Sequence, residues 1–97
     1  ARLASRPDVP TLAELGLPAA NTSSLFGIYA PAQTPAAVLE RLNAELNKAL
    51  ALPDIRSKLD ATDNVPTGGT AAEFARQIAL ESENNARIIR SAGIKAN

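Results

Sequence analysis

The sequence predicts a helix-rich α/β fold, in which three amphipathic helices accompany one apolar strand. Two observations predict it: apolar residues recur every three or four positions in three segments, and one short run between prolines is apolar on both faces. A length of 97 residues fits one small domain or a piece of a larger protein. We expect residues 1–97 to form a single unit cut from a longer chain.

The N-terminal part predicts one helical turn between extended segments. Prolines at positions 7 and 10 push their predecessors toward extended geometry. Thr11 and Glu14 match a capping box, in which each side chain satisfies a backbone N–H at the other residue. Gly16 follows as a left-handed stop. Residues 11–15 are therefore expected to form a single turn.

Residues 23–30 carry the strand signal. The run has a typical strand length, and it lies between the polar pair Asn21–Thr22 and Pro31. Both faces of such a strand are mostly apolar, which indicates a buried strand. Gly27 in its middle is typical of a bulge or a close backbone approach. One strand makes no sheet by itself, so we expect it to pair with the region around Val65, with a second copy, or with residues absent from this chain.

A first long helix is predicted over residues 34–52. Thr34 suits the N-cap and Pro35 the first helical position. Pro53 ends this helix and begins a shorter one over residues 53–60, in which Asp54 occupies the favourable first turn. The apolar stripe of the long helix consists of Val38, Leu39, Leu42, Leu46, Ala49 and Leu50.

A second long helix is predicted over residues 70–92. Thr70 and Glu73 form another capping box, and Gly93 suits the left-handed position after the last turn. Asn85 interrupts the apolar stripe of this helix, as a hydrogen-bonded boundary residue or as a contact to a ligand or partner. The preceding Gly68–Gly69 pair lacks the lysine and the spacing of a phosphate-binding loop.

The composition excludes several classes of function. Ten basic and ten acidic residues cancel, so no net charge draws the chain to nucleic acid or to an anionic membrane. With no His and no Cys, the usual zinc sites, His-based triads and cysteine nucleophiles are excluded. Asp60 and Asp63 lie in a loop beside prolines, without an apolar pocket that would separate their pKa values. The sequence therefore predicts no catalytic residues, no metal and no cofactor.

Four motifs, in the same order, resemble the receptors of tripartite tricarboxylate transporters, also called Bug receptors. Residues 7–18 resemble their PDVPT-x-AE-x-G-x-P segment, and residues 24–35 resemble SWFG-x-x-APAGTP. Residues 42–47 resemble LN-x-E-x-N, and residues 92–95 match AGIK. Each motif is weak alone, but together they extend over nearly the whole chain.

The resemblance implies a periplasmic solute-binding receptor, with two α/β lobes that close on a small carboxylate-bearing ligand and deliver it to membrane permease subunits. Residues 1–97 would be the C-terminal third, a partial lobe whose ligand affinity depends on the rest of the receptor. The resemblance also makes Ser24, Leu25 and Phe26 the candidate ligand-binding residues, against the alternative that Leu25 and Phe26 are ordinary core. Leu25 and Asn85 depart from the family pattern, which often has aromatic residues at both positions.

Two other functional hypotheses remain open at this stage. One is a freestanding helical protein-interaction module that pairs through its Ala- and Leu-rich faces. The other, a piece of an α/β enzyme, is disfavoured because no positioned nucleophile, base or metal set is visible. We further expect the isolated chain to self-associate, for example as a dimer that exchanges residues 23–29, because its apolar faces lack their partners.

Overall fold

The structure, a computed structural model, describes residues 1–96 and contains three α-helices. Helix α1 extends over Ala36–Ala51, α2 over Pro53–Asp60 and α3 over Ala71–Ala92. A short 3-10 helix, Pro18–Ala20, precedes them. No strand occurs within residues 1–96, so the fold observed is helical rather than α/β.

The start of α1 differs from the prediction. Thr34 does not cap the helix, and Pro35 is the residue before the first turn, with an extended ψ of 142°. The Thr34 N–H instead donates to the Pro31 carbonyl at 3.0 Å, which turns the chain ahead of the helix. The predicted range 34–52 is therefore too long at its start. At the other end, Leu52 takes an extended ψ of 132° before Pro53, as the proline rule requires.

The predicted limits of α2 are confirmed. Helix α3 ends at the predicted residue but begins at Ala71, one residue later than predicted, with Thr70 as its N-cap. At the start of α3, Thr70 Oγ1 accepts from the Glu73 N–H at 3.1 Å, and Glu73 Oε2 accepts from the Thr70 N–H at 2.7 Å. At its end, Gly93 adopts a left-handed φ of 64°. The Ile94 N–H then donates to the Ile89 carbonyl at 3.1 Å, which completes a Schellman closure.

The predicted strand over residues 23–30 is wrong for this structure. The segment forms no ladder with the region around Val65, and no strand is assigned at either place. Its strand-like composition is real, but a strand exists only through hydrogen bonds to a neighbouring strand. Residues 1–96 supply no such neighbour, and the segment stays irregular.

The helices form a loose assembly without a sealed core. Helix α1 contacts both α2 and α3, but among the described residues none is fully buried. The accessible surface is 8253 Å², whereas a compact monomer of this mass exposes about 5,300 Å². The radius of gyration is 16.5 Å, compared with about 13 Å for a compact chain of about 100 residues. The chain thus leaves about 3,000 Å² more surface in water than a self-contained domain would.

Half-buried apolar side chains define the partly covered region of the three helices. They come from the C-terminal half of α1, from α2 and from α3: Leu46, Ala49, Leu50, Ile55, Leu59, Phe74, Ile78 and Ala86. The apolar stripes continue beyond this region into solvent. Val38, Leu42 and Ile89 are each exposed by nearly one half.

The N-terminal segment is attached to the helices by polar contacts. Its capping box is confirmed, since Thr11 and Glu14 exchange side-chain to backbone hydrogen bonds at 2.7 and 3.2 Å. Ser5 Oγ donates to Asp63 Oδ1 at 2.9 Å, and Arg6 forms an ion pair with Asp63 at 3.3 Å. These contacts join the N-terminal residues to the loop between α2 and α3. Within the described residues, no helix is long and apolar enough to cross a membrane.

Candidate functional site

The apolar segment, residues 23–30, is the candidate site. No backbone N–H or C=O of these eight residues takes part in a hydrogen bond within residues 1–96. Pro31 follows the segment directly and disfavours a helical conformation at its C-terminal end. The segment therefore presents a continuous row of free donors and acceptors, which a ligand or another strand can use.

One side of the apolar segment packs on α3. The rings of Tyr29 and Phe74 lie 5.8 Å apart at an interplanar angle of 45°, within the range of favourable aromatic pairs. Phe74 also lies so close to Gly27 that a Cβ on that glycine would overlap its ring. The close backbone approach predicted at Gly27 is therefore confirmed.

The opposite side of the apolar segment faces solvent. Phe26 is 82% exposed and Ile28 is 73% exposed, while Leu25 is half-buried. Tyr29, which contacts Phe74, is itself 70% exposed, so the contact with α3 covers only part of the apolar segment. Phe26 is consequently not part of a core in this structure.

The three candidate ligand-binding residues, Ser24, Leu25 and Phe26, are consecutive, and their backbone N–H groups are free within the described residues. The Ser24 side chain is exposed, and its hydroxyl can donate or accept a hydrogen bond. Free N–H groups beside a hydroxyl suit a carboxylate, because hydrogen bonds to a charged acceptor are the stronger kind. The aromatic ring of Phe26 can cover an apolar part of the same ligand.

Two asparagines of α1 bind the chain just before α3, and the sequence reasoning missed them. Asn47 Nδ2 donates to the Gly69 carbonyl at 2.8 Å, and the Gly69 N–H donates to Asn47 Oδ1 at 3.0 Å. Asn43 Nδ2 donates to the same carbonyl at 3.0 Å. The available signal was a pair of asparagines one turn apart, together with a Gly-Gly pair whose backbone is accessible to side chains.

The shifted carboxylates have structural causes. The Thr70 backbone N–H, followed by its hydroxyl, lowers the pKa of Glu73. The pKa of Asp63 is lowered by the Ser5 hydroxyl and then by the charge of Arg6. The pKa of Glu14 is lowered by the Arg2 guanidinium and then by the Thr11 N–H. Asp63 is therefore engaged in an ion pair rather than in an acid–base dyad with Asp60. Within residues 1–96, no group of His, Cys, Asp and Glu side chains could hold a metal ion.

Asn85 lies on an open apolar groove along α3. The groove is lined by Ile78, Ser82, Asn85 and Ile89, among others. A second open groove on the same helix is lined by Glu83, Asn84, Ala86, Arg87 and Arg90. Both grooves are open to solvent, and neither encloses a cavity.

Comparison with known proteins defines the class of the protein. Residues 1–94 match the family described as "Tripartite tricarboxylate transporter family receptor", which is a class of receptors that serve a membrane transporter. The chain belongs to this family. Members of the family are substrate-binding receptors rather than enzymes. No solved structure shows a significant match to the chain.

Three curated relatives illustrate the match. The UPF0065 protein in the tcbD–tcbE intergenic region of Pseudomonas sp. strain P51 is 39% identical over 92 residues, which cover 94% of this chain and 27% of that protein. A UPF0065 protein of Bordetella bronchiseptica is 41% identical over 76 residues, which cover 78% of this chain and 21% of that protein. Protein BugT of Bordetella pertussis is 33% identical over 89 residues, which cover 92% of this chain and 27% of that protein. The chain thus spans about a quarter of the length of these relatives.

Proposed function

We propose that the chain is the C-terminal part of a periplasmic solute-binding receptor, which presents a small carboxylate-bearing ligand to the membrane subunits of a tripartite tricarboxylate-type transporter. The observation that carries the proposal is the family match over residues 1–94. The comparisons do not favour a freestanding helical interaction module, because the relatives are about four times as long as the matched region.

The uncovered surface supports a larger receptor. A partner in a typical stable protein complex buries about 800 Å² of its surface. The chain exposes several times that amount beyond the value of a compact monomer. In the whole receptor, strands contributed by the remaining polypeptide would pair with the apolar segment and complete one lobe of a two-lobed α/β fold. The ligand would bind between the lobes.

Within that receptor, Ser24, Leu25 and Phe26 would contact the ligand. The Ser24 hydroxyl and N–H, at the start of the apolar segment, would bind the carboxylate, and Phe26 would cover the apolar part of the ligand. Neighbouring strands would pair with the backbone groups of the residues that follow. A hydrogen bond to a charged group contributes about 1.5–3 kcal/mol, so its loss weakens binding by about tenfold or more.

Isothermal titration of the whole receptor with citrate, glutamate and nicotinate tests the function. At least one carboxylate is expected to bind with micromolar affinity, and Ser24→Ala should weaken that binding by about tenfold. Ser23→Ala removes the neighbouring hydroxyl and serves as the matched control, with an affinity close to that of the wild type. Absence of binding across a broad panel of carboxylates would contradict the proposal, and equal effects of the two serine variants would contradict the role of Ser24.

The isolated chain is expected to self-associate, because its free strand-like segment and apolar helix faces lack partners. Exchange of residues 23–29 between two copies would satisfy the free backbone groups of both. Light scattering of the 97-residue chain over a range of concentrations tests this expectation. A monomer at every concentration would contradict it.

A further inference from the structure

The Asn47 side chain forms hydrogen bonds with both the N–H and the carbonyl of Gly69. Its amide nitrogen donates to the Gly69 carbonyl at 2.8 Å, and its amide oxygen accepts from the Gly69 N–H at 3.0 Å. The Asn43 amide adds a second donor to the same carbonyl at 3.0 Å. Because a planar amide that pairs with both groups fixes distance and orientation together, these contacts set where Gly69 lies on α1. We call this arrangement the asparagine clamp.

The backbone around the asparagine clamp is available only to glycine. Gly68 and Gly69 have φ angles of 62° and 110°. A Cβ on Gly68 would lie 2.6 Å from Asn47 Oδ1. The two glycines therefore let the chain approach the amide closely and then enter the N-cap of α3.

The position of Gly69 determines the position of Phe74. Thr70 is the N-cap of α3, and Phe74 lies one turn further on, with its N–H bonded to the Thr70 carbonyl at 3.1 Å. The Phe74 ring is the surface on which Gly27 and Tyr29 of the apolar segment rest. A continuous set of contacts thus leads from α1 through the start of α3 to the apolar segment.

We propose that Asn47, assisted by Asn43, is a positioning residue for ligand binding: the asparagine clamp fixes the start of α3 and so holds the apolar segment in its ligand-binding geometry. The proposal rests on the proposed function for its ligand. Loosening the clamp lowers the fraction of receptor in which the segment is correctly placed. The apparent affinity for the ligand falls by the same fraction.

The test uses the whole receptor with Asn47→Ala, the milder Asn43→Ala and the control Asn84→Ala. Asn84 is a suitable control because its amide oxygen accepts from Arg87 Nη2 at 2.8 Å on an exposed face of α3, away from the clamp. Two quantities are measured: the dissociation constant of the bound carboxylate, and the hydrogen-exchange rates of the amides of residues 24–29 without ligand.

Asn47→Ala removes two hydrogen bonds to Gly69 and is expected to weaken ligand binding by about fivefold or more. It should also accelerate exchange in residues 24–29. Asn43→Ala should produce a smaller change of the same kind, which remains readable if Asn47→Ala fails to fold. Asn84→Ala should leave both quantities within about twofold of the wild type.

Unchanged affinity and unchanged exchange in both clamp variants would overturn the proposal, even if their thermal stability falls, because the asparagines would then act on stability alone. If the wild-type receptor binds no carboxylate, the proposed function fails separately. The exchange rates of residues 24–29 then still decide whether the clamp positions the apolar segment.

Discussion

Gly27→Ala tests the contact between the apolar segment and α3. The Cβ of an alanine at this position would overlap the Phe74 ring, and Tyr29 limits the movement of that ring from the neighbouring position. Extra atoms forced into a packed contact cost about 1–3 kcal/mol. For a domain of about 150–250 residues, each kcal/mol lowers the melting temperature by about 2–4 °C. Gly27→Ala should therefore destabilise the whole receptor by about 2–12 °C.

A double-mutant cycle in the whole receptor identifies the cause. Thermal unfolding is measured for Gly27→Ala, for Phe74→Leu and for the combination of both. Because leucine lacks the far edge of the ring, the double variant should be more stable than the sum of the single effects by about 0.5–3 kcal/mol. Strict additivity would refute the contact. Wild-type stability of Gly27→Ala would refute it equally.

Three further outcomes follow from the start of α3. Gly68→Ala should destabilise the receptor by about 1–2 kcal/mol, because alanine is strained at a φ of 62° and its Cβ would meet Asn47. Thr70→Ala removes the N-cap hydroxyl and should cost about 1 kcal/mol in urea unfolding, whereas Thr67→Ala in the preceding loop should cost little. The Thr70 N–H lowers the pKa of Glu73 in the folded state. This contact therefore stabilises the fold fully at pH values above the ordinary carboxyl pKa of about 4. The stabilisation is lost as the pH falls through the lowered pKa of the folded state.

Each of these outcomes has a clear contradiction. Neutral stability of Gly68→Ala would show that the backbone at this position is not left-handed. Equal losses for Thr70→Ala and Thr67→Ala would mean that the hydroxyl does not cap α3. Replacing Glu73 by Gln should flatten the acid dependence of unfolding, and an unchanged pH profile would exclude Glu73 as its source.

The helices were predictable because their signals are local. Thr70, Glu73 and Gly93 lie within a few residues of the backbone groups that they satisfy, so the sequence alone specifies both ends of α3. Leu52 likewise takes an extended conformation because Pro53 follows it directly. The wrong prediction at Thr34 has a local cause too. The Thr34 N–H donates to the Pro31 carbonyl, which places Thr34 in a turn before the helix begins.

The strand and the clamp depend on residues that are distant in sequence. Residues 23–30 have the composition of a strand, but pairing depends on a neighbour that residues 1–96 do not provide. Asn43 and Asn47 lie on the polar face of α1, where a helical pattern gives no reason to expect a specific contact. Only the folded chain brings Gly69, 22 positions after Asn47, into hydrogen-bonding distance. The proposed ligand residues, Ser24, Leu25 and Phe26, remain predictions that rest on resemblance and on free backbone groups.

The most direct test is hydrogen exchange of the amides of residues 23–30. The rates are compared between the whole receptor and the 97-residue chain at a concentration where the chain is monomeric. The comparison shows whether the rest of the polypeptide covers the exposed surface. We predict exchange near the rate of an unstructured peptide in the isolated monomer and strong protection in the whole receptor, because neighbouring strands occupy the free backbone groups there. Equal exchange rates in the two proteins would contradict it.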